Sequence, residues 1–216
     1  MRLSHRIPAT PWRATSTWGI RPRMIAPLFT GLALFGLGEG LLVLSRLGAT
    51  PWTVFAQGVA RHVSLSLGWA TALISVVVLL AWWPLRERPG FGTIANLVVI
   101  ALVLDITATS IPAPTAMTAR ALFVVAGVVV IGVGSALYLT TGLGPGPRDG
   151  LMTSLHRRFG ASVVYVRVTL EVSVLVVGWF MGGTVGIGTA VFAASIGFSI
   201  GASLRVLEWV LARSTL

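Results

Sequence analysis

The second half of this 216-residue chain restates its first half at a displacement of 96 residues, without a gap. Gly31, Gly36, Gly38 and Leu41 return as Gly127, Gly132, Gly134 and Leu137. Leu47-Gly48-x-x-Pro51 returns as Leu143-Gly144-x-x-Pro147, and Arg61 as Arg157. Gly90-x-Gly92-Thr93 returns as Gly186-x-Gly188-Thr189, with Trp83 matched by Trp179 and Val76, Val78 and Leu79 by Val172, Val174 and Leu175. A sequence with this internal period folds as two copies of one unit packed on each other. Where each copy holds an odd number of membrane spans, the second copy is inverted relative to the first, the plan of many secondary transporters.

The bilayer is the expected environment. Hydrophobic residues make up 55% of the chain and charged residues only 10%, outside the range of soluble domains. All 16 basic residues are arginine, giving a formal charge of +10. They gather in the first 23 residues and in short loops between apolar stretches, the distribution that orients a membrane protein, so no nucleic-acid partner is expected. There is no cysteine, and His5, His62 and His156 lie too far apart to share a ligand set, so neither a metal site nor a cofactor is expected. Nor does the sequence carry a hydrolytic constellation: it holds no Gly-x-Ser-x-Gly elbow and no His-Glu-x-x-His, and an enzyme is not expected.

Hydropathy and helix-breaking residues predict an all-α polytopic protein with six spans, at about 24–45, 68–84, 92–110, 117–140, 162–181 and 188–210. Residues 111–116, with Pro112 and Pro114, cannot continue a helix and divide two three-span repeats, 24–110 and 117–210. The span at 68–84 is short and closes on Trp82-Trp83-Pro84. After the first span of each repeat comes a segment too polar and brief to cross, 50–62 and 146–158. In each, Pro51 or Pro147 stands at a first helical position, which predicts short interfacial or re-entrant helices. Residues 1–23 read as a disordered basic tail without a cleavable signal, and 211–216 as a short C-terminal segment. With both termini on the cytoplasmic side of a bacterial inner membrane, eleven loop and tail arginines fall inside and three (Arg46, Arg61 and Arg120) outside.

The same motifs resemble the YitT/YczE family of small bacterial integral membrane proteins, YczE-like members above all. The strongest stretches are 142–151, Arg167 with Glu171, and 178–189, seconded by 47–52 and 89–93. The resemblance covers roughly residues 25–210 and implies an inner-membrane protein without an accepted catalytic set. One member is associated with secondary-metabolite production, which leaves an accessory role open beside transport. The chain departs from the family pattern at Glu39, where the resemblance implies an apolar residue.

An ionisable group within a span costs about 2.5–3.5 kcal/mol on insertion scales, so each asks for a reason. Arg167 and Glu171 are four residues apart on one helix face, either as a structural pair or as a solute or ion contact. Asp105 is a proton-relay candidate or an outer-interface residue. Glu39, between Gly38 and Gly40, is placed to hydrogen-bond across a close helix contact or to face a cavity. Arg148 and Asp149, on the broken backbone of 143–150, read either as a half-helix substrate site or as a capped turn obeying the charge rule. Gly48, Pro51, Gly144 and Pro147, with Gly90, Gly92, Thr93, Gly186, Gly188 and Thr189, form the structural motif; exposed backbone at the Gly-x-Gly-Thr helix starts suits an anion or tight packing. Taken together, the residues favour a small-solute permease with its site where 47–61 meets 143–158. The alternative is an accessory membrane protein acting through a protein partner. A homodimer is compatible with the glycine-rich helix faces.

Overall fold

The computed structural model describes residues 8 and 10–214. These build eight helices and no strand: α1 (Pro22–Ser45), α2 (Pro51–Val63), α3 (Leu67–Trp82), α4 (Phe91–Ser110), α5 (Met117–Leu139), α6 (Pro147–Phe159), α7 (Val163–Phe180) and α8 (Ile187–Ser214). The starts of α2, α3 and α4 recur 96 residues later as the starts of α6, α7 and α8, so the periodicity of the sequence is also a periodicity of elements. Local chemistry explains the boundaries. Thr50 accepts from the Thr53 amide ahead of Pro51, and Ser66 and Ser162 accept from the Trp69 and Tyr165 amides at the starts of α3 and α7. Gly160, at φ 67°, closes α6.

Five helices, α1, α4, α5, α7 and α8, are long and apolar enough to cross a bilayer. The sixth expected span is present as α3, but its 16 residues rise only about 24 Å, short of a hydrocarbon core of about 30 Å. It follows α2 through a bend of 108°, so α2 and α3 complete a span only as a broken pair.

At the centre α1 crosses α5 backbone to backbone. A Cβ on Gly31 would lie 2.7 Å from the Gly134 carbonyl oxygen, and one on Gly134 would lie 2.5 Å from that of Gly31. Gly38 and Gly127 repeat the arrangement, at 2.7 Å and 2.9 Å. Each pair of glycines on a helix is seven residues apart, two turns, and so lies on one face. Because Gly31 corresponds to Gly127 and Gly38 to Gly134, the two contacts exchange when the halves are exchanged. Each contact thus has its counterpart between the same two helices. Gly36 brings α4 onto α1 against Ile100 and Val103, and its counterpart Gly132 brings α8 onto α5 against Ser199. Outside this core α2 packs on α7 and α3 on α6.

The loops obey the same exchange. The Leu143 carbonyl accepts from the Gly92 amide at 2.8 Å, and the Leu47 carbonyl accepts from the Gly188 amide at 2.7 Å. Gly48 and Gly144 sit at φ 120° and 117°, a region other residues rarely adopt, and a Cβ on either would press on the hydroxyl of Thr189 or Thr93. The glycines at these helix starts are thus spent on a neighbouring loop of the opposite half, and no anion is needed to explain them.

One expectation needs correction. The segment ahead of α1 is not a free tail over its described part. Thr10 Oγ1 donates to the Thr140 carbonyl, Trp12 Nε1 to the Thr140 hydroxyl, and Trp18 Nε1 to the Pro89 carbonyl. The backbone also pairs, Ala14 N with Thr141 O and Phe91 N with Thr17 O. Its tryptophans and threonines find acceptors at the loops after α3 and α5, which charge counting does not register; Arg2 and Arg6 lie outside the described residues. At the other end, α8 runs on through residues 211–214.

Candidate functional site

The N-terminal turns of α2 and α6 bring polar residues of both halves to the α1–α5 crossing. Glu39, on α1, is 1% exposed. Its carboxylate accepts a short hydrogen bond from Thr53 Oγ1, and the Thr50 hydroxyl lies 3.4 Å from its other oxygen. Across the halves, Arg148 Nη1 donates to Glu39 Oε1 at 3.3 Å. The Arg148 guanidinium also stands 5.2 Å from the centre of the Trp52 ring. Trp52 is the repeat counterpart of Arg148, so two corresponding positions meet each other beside the crossing. The burial of Glu39 is therefore compensated by a cation and by hydroxyls, which an isolated carboxylate in this setting requires.

The counterpart of Thr53 is Asp149. Where Thr53 donates to a carboxylate on α1, Asp149 Oδ2 accepts from the Tyr138 hydroxyl of α5 at 2.8 Å. The second half thus makes the same α5–α6 tie with donor and acceptor exchanged. Tyr138 is itself 3% exposed and lies edge-on to Phe35 at 6.3 Å between ring centres.

Beside this network is a cavity of about 340 Å³. Thr71 and Ser75 of α3 and Asn96 of α4 come to it from the first half, and Ser135, Tyr138, Arg148, Asp149 and Arg167 from the second. Phe35, Phe192 and several aliphatic side chains complete its wall. This is within the size range of small-molecule sites, mostly apolar with a few placed polar groups. Arg167 Nε donates to Glu171 Oε1 at 2.9 Å, the i,i+4 pair expected along one face of α7.

Of the sequence candidates, Arg148, Asp149 and Arg167 line one cavity, with Glu39 and Glu171 directly behind the two arginines. Asp105 is elsewhere. It accepts from the Gly68 amide at 2.9 Å and the Ser66 hydroxyl at 2.8 Å, tying the start of α3 to α4. The Gly48, Pro51, Gly144 and Pro147 loops and the Gly90, Gly92, Thr93 and Gly186, Gly188, Thr189 helix starts hold one another, and Thr93 Oγ1 donates to the Pro145 carbonyl at 2.7 Å. Residues that sequence reasoning did not single out for the site are Trp52, Thr53, Tyr138, Ser135, Thr71, Ser75 and Asn96. The displacement of 96 residues was a usable signal for Thr53 and Trp52, the counterparts of Asp149 and Arg148. None existed for Tyr138, whose counterpart is Leu42. Among the described residues no group of histidine, aspartate and glutamate is placed to hold a metal.

Comparison with known proteins now bears on this arrangement. Residues 22–205 match the model of a family of unknown function, DUF6198. An uncharacterised protein of Haemophilus influenzae is 47% identical over 93% of this chain and 92% of its own length. The uncharacterised membrane protein YczE of Bacillus subtilis is 33% identical over 87% of this chain and 90% of its own. The uncharacterised protein YyaS of the same organism is 26% identical over 82% and 90%. No solved structure matches. The matched residues take in α1 to α7, most of α8 and both halves of the cavity, and on that footing the chain belongs to this YczE-like family of membrane proteins.

Proposed function

We propose that this membrane protein is a permease for a small solute, with the solute held in the cavity between the two halves. The observation that carries the reading is a wall of polar side chains drawn from both halves at one place: Thr71, Ser75 and Asn96 opposite Ser135, Arg148, Asp149 and Arg167. A protein that only scaffolds a partner has no need to gather polar side chains from both halves around a void. The reciprocal contacts of α1 with α5 and of the two loops support halves related by an axis in the membrane plane, hence inverted relative to each other. The arginine distribution supports an inner-membrane orientation with both termini cytoplasmic. No chemical step is assigned to the cavity, and the protein is read as a carrier, not an enzyme.

The test is uptake into proteoliposomes. The full-length protein is reconstituted and offered a panel of labelled solutes small enough for about 340 Å³, with protein-free vesicles alongside. Uptake above that of the protein-free vesicles for any solute upholds the reading. Equality across the whole panel, with the protein still folded, turns attention to the second reading, an accessory protein acting through a partner. That reading draws its support from an apolar groove along α5 and α8, where Val125, Val129, Phe198 and Val206 are exposed.

A further inference from the structure

We propose that the cavity takes a small organic cation, an ammonium compound, with Asp149 as its counter-ion; the inference rests on the permease reading and specifies its solute. Three charged side chains line the cavity, and two of them are already matched. Arg148 is held by Glu39 and stands over the Trp52 ring, and Arg167 is held by Glu171. Only Asp149 has a neutral partner, the Tyr138 hydroxyl, and it forms no ion pair among the described residues. Counting the groups in and directly behind the wall, the carboxylates of Glu39, Asp149 and Glu171 face two guanidiniums, leaving one negative charge uncompensated. A charge of that sign in a low-dielectric setting favours a cation over an anion. The charge of Arg148 is already matched by Glu39, which makes it a weaker clamp for a carboxylate or phosphate.

The rest of the wall narrows the kind of cation. Phe35, Tyr138 and Phe192 line the cavity, and aromatic faces attract an alkylammonium group while asking for no dehydration of a small, hard ion. Ser135, Thr71, Ser75 and Asn96 supply neutral polar atoms suited to the N–H groups of a primary amine or to a hydroxyl elsewhere on the solute. No second carboxylate stands with Asp149 as a ligand group for a metal ion, among the described residues.

The experiment measures binding to the full-length protein in detergent by titration calorimetry, at fixed ionic strength, with tetramethylammonium chloride, sodium acetate and sodium phosphate as probes. Saturable binding of tetramethylammonium alone, weakened at least tenfold in Asp149→Asn and several-fold in Phe192→Leu, is the expected result. Phe192→Leu keeps the proposal testable should Asp149→Asn not fold. Binding of acetate or phosphate with loss in Arg167→Gln overturns the cation assignment while leaving the permease reading standing. Binding of none of the three overturns it as well. Binding of tetramethylammonium to a protein that moves no solute of the panel into proteoliposomes upholds the site and removes the permease reading, so the two fail separately.

Discussion

Glu39 and Arg148 come from positions 109 residues apart and share one ion pair, buried at Glu39 and part-buried at Arg148, with the threonines of α2 completing the shell around the carboxylate. Removing one member leaves the other buried and unmatched, which costs about 3–5 kcal/mol, whereas removing both in favour of apolar groups is often close to neutral. Glu39→Leu is therefore expected to lower the melting temperature sharply, and Glu39→Leu with Arg148→Leu to recover most of the loss. Thermal melts of the purified single and double variants check this, and a double variant as unstable as the single one would remove the pair from the account. Asp105 behaves differently. Asp105→Asn weakens the tie at the start of α3, by about 1 kcal/mol if it acts as a cap does, and leaves solute binding unchanged in the same titrations. The sequence marked each of these acids as unusual, because an ionisable group within an apolar stretch stands out from its neighbours. It did not reveal their partners, since pairing across halves is a property of the packed chain and leaves no local spacing behind. Only Arg167 and Glu171, four residues apart on one helix, were legible as a pair.

At the level of elements, glycines on α1 and α5 do opposite work from a glycine on α8. Gly38 has no space for a methyl group beside the Gly127 carbonyl, whereas Gly197 has nothing within 4 Å. Gly38→Ala is expected to force the two helices apart and reduce the yield of folded protein. Gly197→Ala is expected to be neutral or slightly stabilising, since alanine is the better helix former by about 1 kcal/mol. Size-exclusion profiles and melts of the two variants in one detergent compare them directly; equal behaviour would mean that the crossing is looser than described. Element boundaries were largely legible, because Thr50-Pro51, Gly146-Pro147 and the Gly-x-Gly-Thr starts are chemical signals for helix entry. The depth of α3 was not. Hydropathy made residues 68–84 a span, though a short one, and only the 108° turn from α2 shows how the short helix is completed. The docking of residues 10–19 was equally hidden, because its hydrogen bonds go to loop carbonyls far along the chain.

For the whole molecule, orientation is the open quantity, and a chain without cysteine is convenient for measuring it. Single substitutions Thr115→Cys, in the linker between halves, and Arg88→Cys, in the loop after α3, should label with a membrane-impermeant maleimide from opposite sides of the inner membrane. Thr115→Cys is expected to react in intact spheroplasts and Arg88→Cys only after lysis; the reverse pattern would place both termini outside.

The exchange of loops between halves also bears on how the protein is made. The Gly92 amide at the start of α4 has its acceptor on Leu143, and Thr93 has its own on Pro145, residues synthesised some fifty positions later. Gly38 likewise waits for Gly127. The first half therefore leaves the ribosome with its own packing surface unmet and a helix start unsatisfied, a burden that falls on the insertion machinery until the second half arrives. On these contacts the two halves are expected to become stable together, once the second has been made.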